Sequence, residues 1–432
     1  MITKQLVDKI EGEASLYFEL EDEKVSFATV SFPHTRGMEL MLEGKNALDA
    51  LVITPRVCGI CGHAHLMATV RAIEDAYKNA GYEIHLSEKV ELLREFTLVM
   101  EMVQNHFKWM YLTIIPALSK LTNSSQELTP LKGAFAASIA TKAIATFAGQ
   151  WPHSSYMIPG GVTADPTNID ILKAQSYLSE LKTFFEKESL GVSLEDFLAF
   201  DSCNDFTKLS SDVGALNEAL LKTDMHIKGF ADDTFIVLGE HTFTEVTKLK
   251  HTRHIGVQHK YVSTEPSYSP HEKTYAKNAL YKDAYYETGP LARSLSNNFA
   301  IIKNIHRRYK DSAYSRVMAR VFELASLIQH ASSLLKKLDI ADTSFTKSVD
   351  ISKINARGVG VVEAPRGPLM HTIDIENGVI KKYSIITPTQ WNIGSSHKEK
   401  PTPAQRAMIG LTKEEANFVF RTFDVCSVCT TH

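Results

Sequence analysis

Four cysteines of this 432-residue chain form two Cys-x-x-Cys pairs that could hold a metal ion. Cys58 and Cys61 lie near the N-terminus, and Cys426 and Cys429 lie at the C-terminal end. The two-residue spacer of each pair can bring both sulfur atoms onto one ion from a single turn of backbone. Both pairs flank predicted helix ends, where an N-terminal dipole lowers the pKa of a thiol and favours metal binding. Four thiolates form a soft ligand set that suits zinc, iron or nickel.

The separation of the pairs leaves a zinc site and a redox dithiol open as alternatives. Two such pairs most often bind structural zinc, but zinc ribbons usually place their pairs within about 15–20 residues of each other. Here nearly the whole chain separates Cys61 from Cys426, which is an unusual way to fasten a fold. A thioredoxin-like dithiol would need a βαβ pattern, which the sequence lacks. The fifth cysteine, Cys203, stands alone, and so few cysteines argue against a secreted disulfide framework.

Long helical segments fill most of the chain between the two pairs. Apolar residues at helical spacing, with few helix breakers, predict helices over 64–80, 86–111, 133–149 and 312–338. A helix that is apolar nearly all round is usually buried at the centre of a large protein. The last predicted helix, 412–422, begins with Thr412 and Glu415 in a capping-box arrangement. It delivers the chain directly to Asp424 and the second cysteine pair.

Two β-hairpins are predicted at the edge of this helical body. Residues 14–31 alternate apolar and polar on either side of a charged turn, and an Asn-Gly turn joins two strand-like segments in 371–386. Residues 250–285 are polar and predict surface loops. No repeat, low-complexity tract or linker divides the chain. We therefore expect one large domain over 1–432, mainly α with small β-hairpins (α+β), built around a central bundle of long buried helices.

The composition is that of an ordinary globular protein and excludes several classes of function. Hydrophobic residues make up 44% of the chain and charged residues 22%, with a formal net charge of −3. Because no long basic run is present, nucleic-acid binding is not expected. No segment approaches the roughly 18–20 uninterrupted apolar residues of a membrane helix, and the N-terminus lacks the apolar stretch of a signal peptide. We expect a cytoplasmic protein that reaches a membrane only through a partner.

A series of motifs spanning essentially the whole chain resembles those of nickel–iron hydrogenase large subunits. The first pair lies in RVCGICGHAH, which matches R-x-C-G-x-C-x-x-x-H, and the second lies in DVCSVCTTH, which is similar to D-P-C-x-x-C-x-x-H. The other matching motifs, in the family's order, are KIEG at 9–12, RGME at 36–39, ETGPLAR at 287–293, EAPRG at 363–367 and TPTQWN at 387–392. The resemblance implies an enzyme that cleaves H2 heterolytically and passes electrons to a partner.

The resemblance also implies a nickel–iron centre held by the four cysteines of the two pairs. All four would bind nickel, and Cys61 and Cys429 would also bridge to an iron ion that carries one carbon monoxide and two cyanide ligands. Arg366 and Thr389 match the family's hydrogen-bond donors to those ligands, and a charge-assisted bond to a partly anionic nitrogen is a strong one. Asp424 is expected to orient Arg366, which would lie close to the point where H2 binds.

Cleavage of H2 releases a proton, so the centre needs a base within hydrogen-bond reach. The family match assigns this step to the Cys426 thiolate and then to Glu11, the glutamate of the KIEG motif. By composition alone, Glu11 would be an ordinary solvated residue, and the family match reverses that interpretation. Arg366 could polarise the substrate or accept a proton weakly, although its high pKa makes it a reluctant base.

A second metal site is implied near the C-terminus. Glu39, the backbone carbonyl of Ile385 and His432 match the family's magnesium ligands. Carboxylate and carbonyl oxygens suit magnesium, whereas the histidine leaves iron open as an alternative. His65 is expected to orient a sulfur atom of the nickel–iron centre from outside the ligand set.

Several residues around the expected centre are ordinary or depart from the family's pattern. Pro365 precedes the arginine of the EAPRG motif and is expected to line the centre. Asn105 falls where many members have an aspartate that helps to hold that arginine, so the local charge balance is weaker here. Val425 replaces the proline of the last motif and frees a backbone N–H. His63 and His106 are more simply interpreted as core histidines.

Residues 149–162, GQWPHSSYMIPGGV, resemble the cytoplasmic uptake and hydrogen-sensing branch of the family. Hydrogen uptake is the expected role, with a regulatory sensor as one alternative and a zinc scaffold or a complex I-like core subunit as others. Retention of all four cysteines argues against the complex I relative. No other cysteines are arranged for an iron–sulfur cluster, so we expect a partner small subunit that carries one. The electron acceptor beyond that subunit is left open. We also expect a higher oligomer of heterodimers. A C-terminus at His432 fits either an uptake enzyme whose C-terminal extension has been removed or a sensor that never had one.

Overall fold

A computed structural model describes residues 1–7, 12–122, 130–238, 258–346 and 349–432 of the chain. The α-helices are α1 (Met38–Leu42), α2 (Ala50–Ile53), α3 (Gly62–Asn79), α4 (Glu88–Lys108), α5 (Ile115–Thr122), α6 (Pro130–Ala148), α7 (Asn168–Phe184), α8 (Leu194–Leu198), α9 (Asp212–Lys222), α10 (Pro290–Ser296), α11 (Ala300–Tyr309), α12 (Ala313–Lys337), α13 (Pro388–Asn392), α14 (Pro403–Met408), α15 (Lys413–Thr422) and α16 (Ser427–Thr430). The strands are β1 (Ile2–Leu6), β2 (Ser15–Glu21), β3 (Lys24–Ser31), β4 (Met157–Ile158), β5 (Gly161–Val162), β6 (Val262–Pro266), β7 (Lys277–Tyr281), β8 (Ala356–Ala364), β9 (Gly367–Glu376) and β10 (Val379–Ile386). Single 3-10 turns lie at Ala47–Asp49, Thr54–Val57, Cys203–Lys208, Met225–Ile227, His259–Tyr261 and Ile351–Lys353, and π-helical turns at Trp109–Ile114 and Phe185–Leu190.

The predicted long helices are confirmed as α3, α4, α6, α12 and α15, with ends shifted by only a few residues. Helices α4, α6, α7 and α12 pack on one another and form the predicted central bundle. The side chains of Ser87 and Ser312 accept hydrogen bonds from the backbone N–H of Val90 and Ser315, which caps the N-termini of α4 and α12. The capping box of α15 is also present, because Thr412 and Glu415 each accept from the other's backbone N–H.

Charged and polar side chains interrupt the apolar surfaces of α4 and α12. The buried ones include Glu101, Asn105 and His106 on α4 and Arg316, Arg320 and Glu323 on α12. An isolated charge in an apolar interior costs several kcal/mol or more, so buried charges are normally paired. The two helices therefore carry a buried polar network into the centre of the protein.

The predicted hairpin over 14–31 is confirmed as β2 and β3, and β1 adds a third antiparallel strand on the side of β2. Its turn residues Asp22 and Glu23 both have positive φ, 48° and 62°. A two-residue turn of that hand matches the twist of a hairpin. Strand β1 was not predicted, because its alternating side chains are mostly exposed and leave little apolar pattern.

The predicted hairpin over 371–386 is confirmed as β9 and β10, and β8 completes a three-stranded antiparallel sheet. Strand β8 was not predicted, because Gly358 and Gly360 weaken its strand pattern. Both glycines lie against α3. A Cβ atom at Gly358 would come within 1.9 Å of the carbonyl oxygen of Ala72, and one at Gly360 within 1.9 Å of that of Ala68. The glycines thus let the sheet approach the helix that follows the first cysteine pair.

The prediction of surface loops over 250–285 is partly wrong. Residues 250–257 lie outside the described part of the chain. Strands β6 and β7 pair antiparallel within the remainder, from Val262 with Tyr281 to Pro266 with Lys277. The polar composition hid them because β6 is largely exposed, and only β7 buries apolar side chains.

Most buried apolar residues form one continuous cluster, which includes all four cysteines of the two pairs. A smaller cluster surrounds Trp391 beneath β7 and β9. A continuous core agrees with a single domain over 1–432, which stays a prediction. Among the described helices, none is both long enough and apolar enough to cross a membrane.

Candidate metal centre

The two cysteine pairs meet in the interior of the protein, although they lie at opposite ends of the chain. The Sγ atoms of Cys58 and Cys426 are 3.6 Å apart, those of Cys61 and Cys429 are 3.5 Å apart, and those of Cys426 and Cys429 are 2.8 Å apart. All four side chains are buried. Two sulfur atoms that share one ion at about 2.3 Å each can be no more than about 4.6 Å apart. The sulfur atoms of Cys58, Cys61 and Cys429 all lie within 4.8 Å of one another, close to that limit, so these three could hold one metal ion. Cys426 joins them through its contacts with Cys58 and Cys429.

The first pair is positioned between a short 3-10 turn and the start of α3. Cys58 follows the turn Thr54–Val57, and Cys61 occupies the N-cap position of α3. Both carboxylate oxygens of Glu101 accept hydrogen bonds from the first turn of α3, from the N–H of His63 at 2.9 Å and of Ala64 at 3.0 Å. Burial raises the pKa of Glu101 to about 7, although these N–H groups and the indole of Trp151 oppose the shift.

The second pair is positioned by the short path from α15. Asp424 adopts a left-handed conformation, with φ 58°, where the chain turns from the end of α15 toward Cys426. Aspartate enters this region more readily than most other residues. Arg36 then fastens the two pairs together, because its guanidinium donates to the carbonyl oxygens of Arg56, Val57 and Val428. The RGME motif thus has a structural role that its sequence did not reveal.

The thiols of Cys61, Cys426 and Cys429 differ in how readily they ionise. Hydrogen bonds with the thiols of Cys429 and Cys58 lower the pKa of Cys61 to about 7, against the effect of burial. Burial raises the pKa of Cys426 to about 12 and that of Cys429 well above its usual value. A cation bound among the four sulfur atoms would favour the ionised form of each of them.

Arg366 lies in the two-residue turn between β8 and β9, where the EAPRG motif reverses direction. Arg293 fixes this turn by donating to the carbonyl oxygens of Ala364 at 2.9 Å and Pro365 at 3.0 Å. Gly367 follows with φ 133°, a conformation that favours glycine. The turn directs the buried guanidinium of Arg366 toward the cysteine cluster.

Asp424 is paired with Arg366 and is shared with a second arginine. Its Oδ2 lies 3.0 Å from Nε of Arg366 and 2.6 Å from Nη2 of Arg320. Both contacts are ion pairs, because the angles at these atoms do not meet the geometry of a hydrogen bond. Burial alone would raise the pKa of Asp424, and the two guanidinium groups outweigh it and lower the pKa. Burial likewise opposes the charge of Arg366, but Asp424 and then the thiols of Cys426, Cys61 and Cys58 raise its pKa well above the usual value.

Asn105 bonds to the loop of the first cysteine pair. Its side-chain amide donates to the carbonyl oxygens of Ile60, between the first two cysteines, and of Glu101, and to the side chain of Gln104. Its described hydrogen bonds therefore hold the first cysteine loop rather than Arg366. A cavity of about 490 Å³ reaches this region from outside, and Asn105, Arg366 and Val425 are among the residues that line it.

Glu39, Ile385 and His432, the residues predicted for the second metal site, lie close together. Oε1 of Glu39 accepts from the backbone N–H of Ile385 at 2.8 Å and lies 3.3 Å from Nε2 of His432, while Lys277 donates to Oε2 at 2.8 Å. Burial opposes ionisation of Glu39, but His432 and Lys277 lower its pKa to about 2. A permanently ionised carboxylate beside an imidazole is a suitable start for a cation site, in which the ammonium of Lys277 is a competing positive charge.

The remaining predicted residues lie close to the cluster with contacts of different kinds. Nδ1 of His65 shares a hydrogen bond of 3.0 Å with Nε2 of His371, so its described ring contact is with another histidine rather than with a sulfur atom. Oγ1 of Thr389 is buried and has no hydrogen-bond partner among the described residues. Glu11 lies outside the described residues.

Several buried residues of this region escaped the sequence analysis. They are Glu101, Arg293, Arg320 and Glu323, all of which lie on predicted helices or within a motif quoted for another reason. A charged residue within a strongly apolar helix was the available signal, because such a residue must find a partner inside the protein. Spacing alone could not indicate which partner.

A family model described as nickel-dependent hydrogenase matches residues 36–115 and 131–432 of the chain. The alpha subunit of the coenzyme F420 hydrogenase of Methanothermobacter thermautotrophicus is 28% identical, over 98% of this chain and 92% of the relative. The alpha subunit of sulfhydrogenase 2 of Pyrococcus furiosus is 26% identical, over 98% and 97%. The solved structure of the reduced Ni-Fe-Se hydrogenase from D. vulgaris Hildenborough shares the fold, with a TM-score of 0.82 and 20% identity over 100% of both chains.

These matches disfavour the zinc scaffold and the complex I-like subunit, since the match includes both cysteine pairs. The fold, the joined sulfur atoms and the matched family agree with one another along nearly the whole chain. The chain therefore belongs to the nickel-dependent hydrogenase family, as a large subunit.

Proposed function

We propose that this chain cleaves H2 at a nickel–iron centre held by Cys58, Cys61, Cys426 and Cys429. The observation that carries the proposal is the meeting of four buried sulfur atoms from opposite ends of the chain beneath a buried arginine. When bound, such a centre supplies the Lewis-acid and redox chemistry for heterolytic H2 cleavage. Cys61 and Cys429, whose Sγ atoms are 3.5 Å apart, would bridge nickel and iron.

Arg366 and Thr389 are proposed as the donors that hold the cyanide ligands of the iron. A buried hydroxyl normally has a hydrogen-bond partner, and Oγ1 of Thr389 has none among the described residues. A small acceptor within the site would satisfy it. The guanidinium of Arg366 stays charged under all ordinary conditions, so its donors are permanent. Pro365 supports Arg366 through its carbonyl oxygen, which accepts from Arg293.

The protein's own contribution to proton movement begins at Cys426. Its Sγ lies 2.8 Å from that of Cys429 and 3.6 Å from that of Cys58. The Cys426 thiolate is proposed to take the proton released from H2, and Glu11 is proposed to accept it from Cys426 and pass it outward.

Glu39, the carbonyl oxygen of Ile385 and His432 are proposed to bind magnesium, with iron as the alternative. The lowered pKa of Glu39 supports a hard cation, because its carboxylate remains ionised near neutral pH. Nδ1 of His432 also donates a hydrogen bond to the carbonyl oxygen of Cys429, 2.6 Å away. An ion at this position would thus be connected to the second cysteine pair through one residue. His65 is proposed to stabilise the other side of the cluster through His371.

Hydrogen uptake through an iron–sulfur small subunit is the proposed physiological role. Among the described residues, Cys58, Cys61 and Cys429 form the only group of three or more His, Cys, Asp or Glu side chains whose ligand atoms all lie within 4.8 Å of one another. Electrons released there need a further carrier, and a cluster-bearing partner subunit supplies one. A cytoplasmic location and an oligomer of heterodimers belong to the same proposal.

Metal analysis combined with infrared spectroscopy of the purified complex tests the proposal. We expect one nickel per chain, together with one carbonyl and two cyanide stretching bands, and exchange of deuterium from D2 into solvent. Cys426→Ser is expected to lose nickel and exchange, whereas Cys203→Ser, which changes the cysteine outside the two pairs, is expected to keep both. Zinc without the infrared bands would contradict the hydrogenase function. Fast steady-state H2 oxidation would support uptake, and slow turnover would favour sensing.

A further inference from the structure

Arg366 belongs to a closed ring of buried polar contacts, and several residues of this ring have no role in the proposed function. Glu323 stands at the junction of the ring. Its two oxygens accept from Nε and Nη2 of Arg293, each at 2.8 Å, and Oε2 also accepts from Nε2 of His106 at 2.7 Å. Arg293 leads to the backbone of the Arg366 turn, because it donates to the carbonyl oxygen of Pro365 at 3.0 Å.

The other arm of the ring leads to the side chain of Arg366. Nε of Arg320 donates to Nδ1 of His106 at 2.9 Å, and Nη2 of Arg320 lies 2.6 Å from Oδ2 of Asp424. The same oxygen lies 3.0 Å from Nε of Arg366. One carboxylate on α12 is therefore connected to Arg366 twice, once through the backbone of its turn and once through its guanidinium.

The direction of each bond in the second arm follows from the donors available. Arginine has only donors, so Nδ1 of His106 must accept from Arg320. The hydrogen of the imidazole then lies on Nε2 and is donated to Glu323. The ring holds His106 in one neutral tautomer, and it places one fixed carboxylate, Asp424, between two guanidinium groups. Arg320 therefore stands on the far side of Asp424 from Arg366 in the chain of contacts, with the same carboxylate oxygen facing both.

We infer that Glu323, His106 and Arg320 are positioning residues that fix the guanidinium of Arg366 over the cysteine cluster. The inference rests on the proposed function, which places Arg366 at the reacting centre. None of the three residues contacts the sulfur atoms in the described structure. They act by limiting the movement of Arg366, and a displacement of about 1 Å at a reacting centre can cost about 10²-fold in rate.

Substitutions at His106 test this role because they interrupt one arm and leave the other intact. His106→Phe keeps a planar ring but removes both bonds, and His106→Gln retains an acceptor and a donor. We expect His106→Phe to lower kcat for H2 oxidation about tenfold or more per nickel-loaded molecule, with little change in KM, and to shift the cyanide infrared bands. His106→Gln is expected to restore most of kcat and the original band positions.

The matched control is His330→Phe on the same helix α12 as Glu323. Its Nε2 pairs with Glu95 at 2.7 Å in a partly exposed position outside the ring, so kcat and the infrared bands are expected to stay unchanged. If His106→Phe fails to load nickel, Arg320→Lys is measured in the same assays, because it keeps the charge but loses the bond from Nε to His106.

The outcomes separate the positioning role from the proposed function. Absence of nickel and of cyanide bands from the unmodified protein would overturn the proposed function and the positioning role with it. Loaded His106→Phe protein with unchanged kcat and unchanged bands would overturn the positioning role alone. Failure of both His106→Phe and Arg320→Lys to load would show that the ring serves only to stabilise the fold, which also overturns the inference.

Discussion

Replacing Asp424 with asparagine removes the one carboxylate that stands between Arg366 and Arg320. Oδ2 of Asp424 lies 3.0 Å from one guanidinium and 2.6 Å from the other, and both arginines are buried. In Asp424→Asn, two buried positive charges would face each other with only an amide between them. Removal of one partner from a buried ion pair costs about 3–5 kcal/mol. We expect a loss of this size in the free energy of unfolding of the metal-free protein.

The pH dependence of this effect follows from the lowered pKa of Asp424. A carboxylate whose pKa is lower in the folded state contributes stability that is fully present above its unfolded pKa of about 3.9. That contribution is lost as the pH falls through the lower folded value. The difference in the free energy of unfolding between wild type and Asp424→Asn is therefore expected to be constant from pH 5 to pH 8.

Urea denaturation followed by tryptophan fluorescence measures the effect, with Asp374→Asn as the matched control. Asp374 pairs with Arg357 at 3.6 Å on an exposed part of the sheet. An exposed pair of this kind contributes about 0–1 kcal/mol, so the control is expected to unfold almost as wild type does. An Asp424→Asn loss no larger than that of the control would refute the argument that one carboxylate holds both arginines.

Three further substitutions test other parts of the structure. Gly360→Ala places a Cβ atom 1.9 Å from the carbonyl oxygen of Ala68, so α3 must move. Thermal denaturation should show a loss of about 1–3 kcal/mol in the free energy of unfolding. An unchanged Tm would mean that the sheet does not lie against α3 as described. Burial raises the pKa of Glu101 to about 7. Its contribution to stability is therefore fully present below the pKa of the unfolded chain and is lost as the pH rises through about 7. The stability of wild type relative to Glu101→Gln should therefore decrease from pH 5 to pH 8 in urea titrations, and an increase would show that the carboxyl is favoured in its ionised form. Glu11→Gln keeps the size of the side chain but cannot carry a proton, so H2 uptake and isotope exchange should fall about 10²-fold or more; wild-type rates in this variant would exclude Glu11 as the relay.

The sequence carried enough information to name the candidate ligands and most of the elements that present them. The long helices were predictable because their apolar residues recur at helical spacing, and the Asn-Gly turn between β9 and β10 has its own local signature. The cysteine pairs indicated soft-metal chemistry by residue type and spacing, and the accompanying motifs resolved which kind. These are local properties, in which a residue and its near neighbours in sequence determine the result.

Tertiary structure decided which distant groups meet. Strand β8 was missed because its glycines are required by contact with α3, and that contact is absent from the local pattern. Asn105 falls where many family members have an aspartate that holds the arginine, and in this chain its amide bonds to the first cysteine loop, since hydrogen-bond partners depend on how α4 is rotated in the bundle. Glu323, His106 and Arg320 are joined only when α4 and α12 pack side by side. Residue types fix which charges must be paired inside a protein, and only the packing of helices determines their partners.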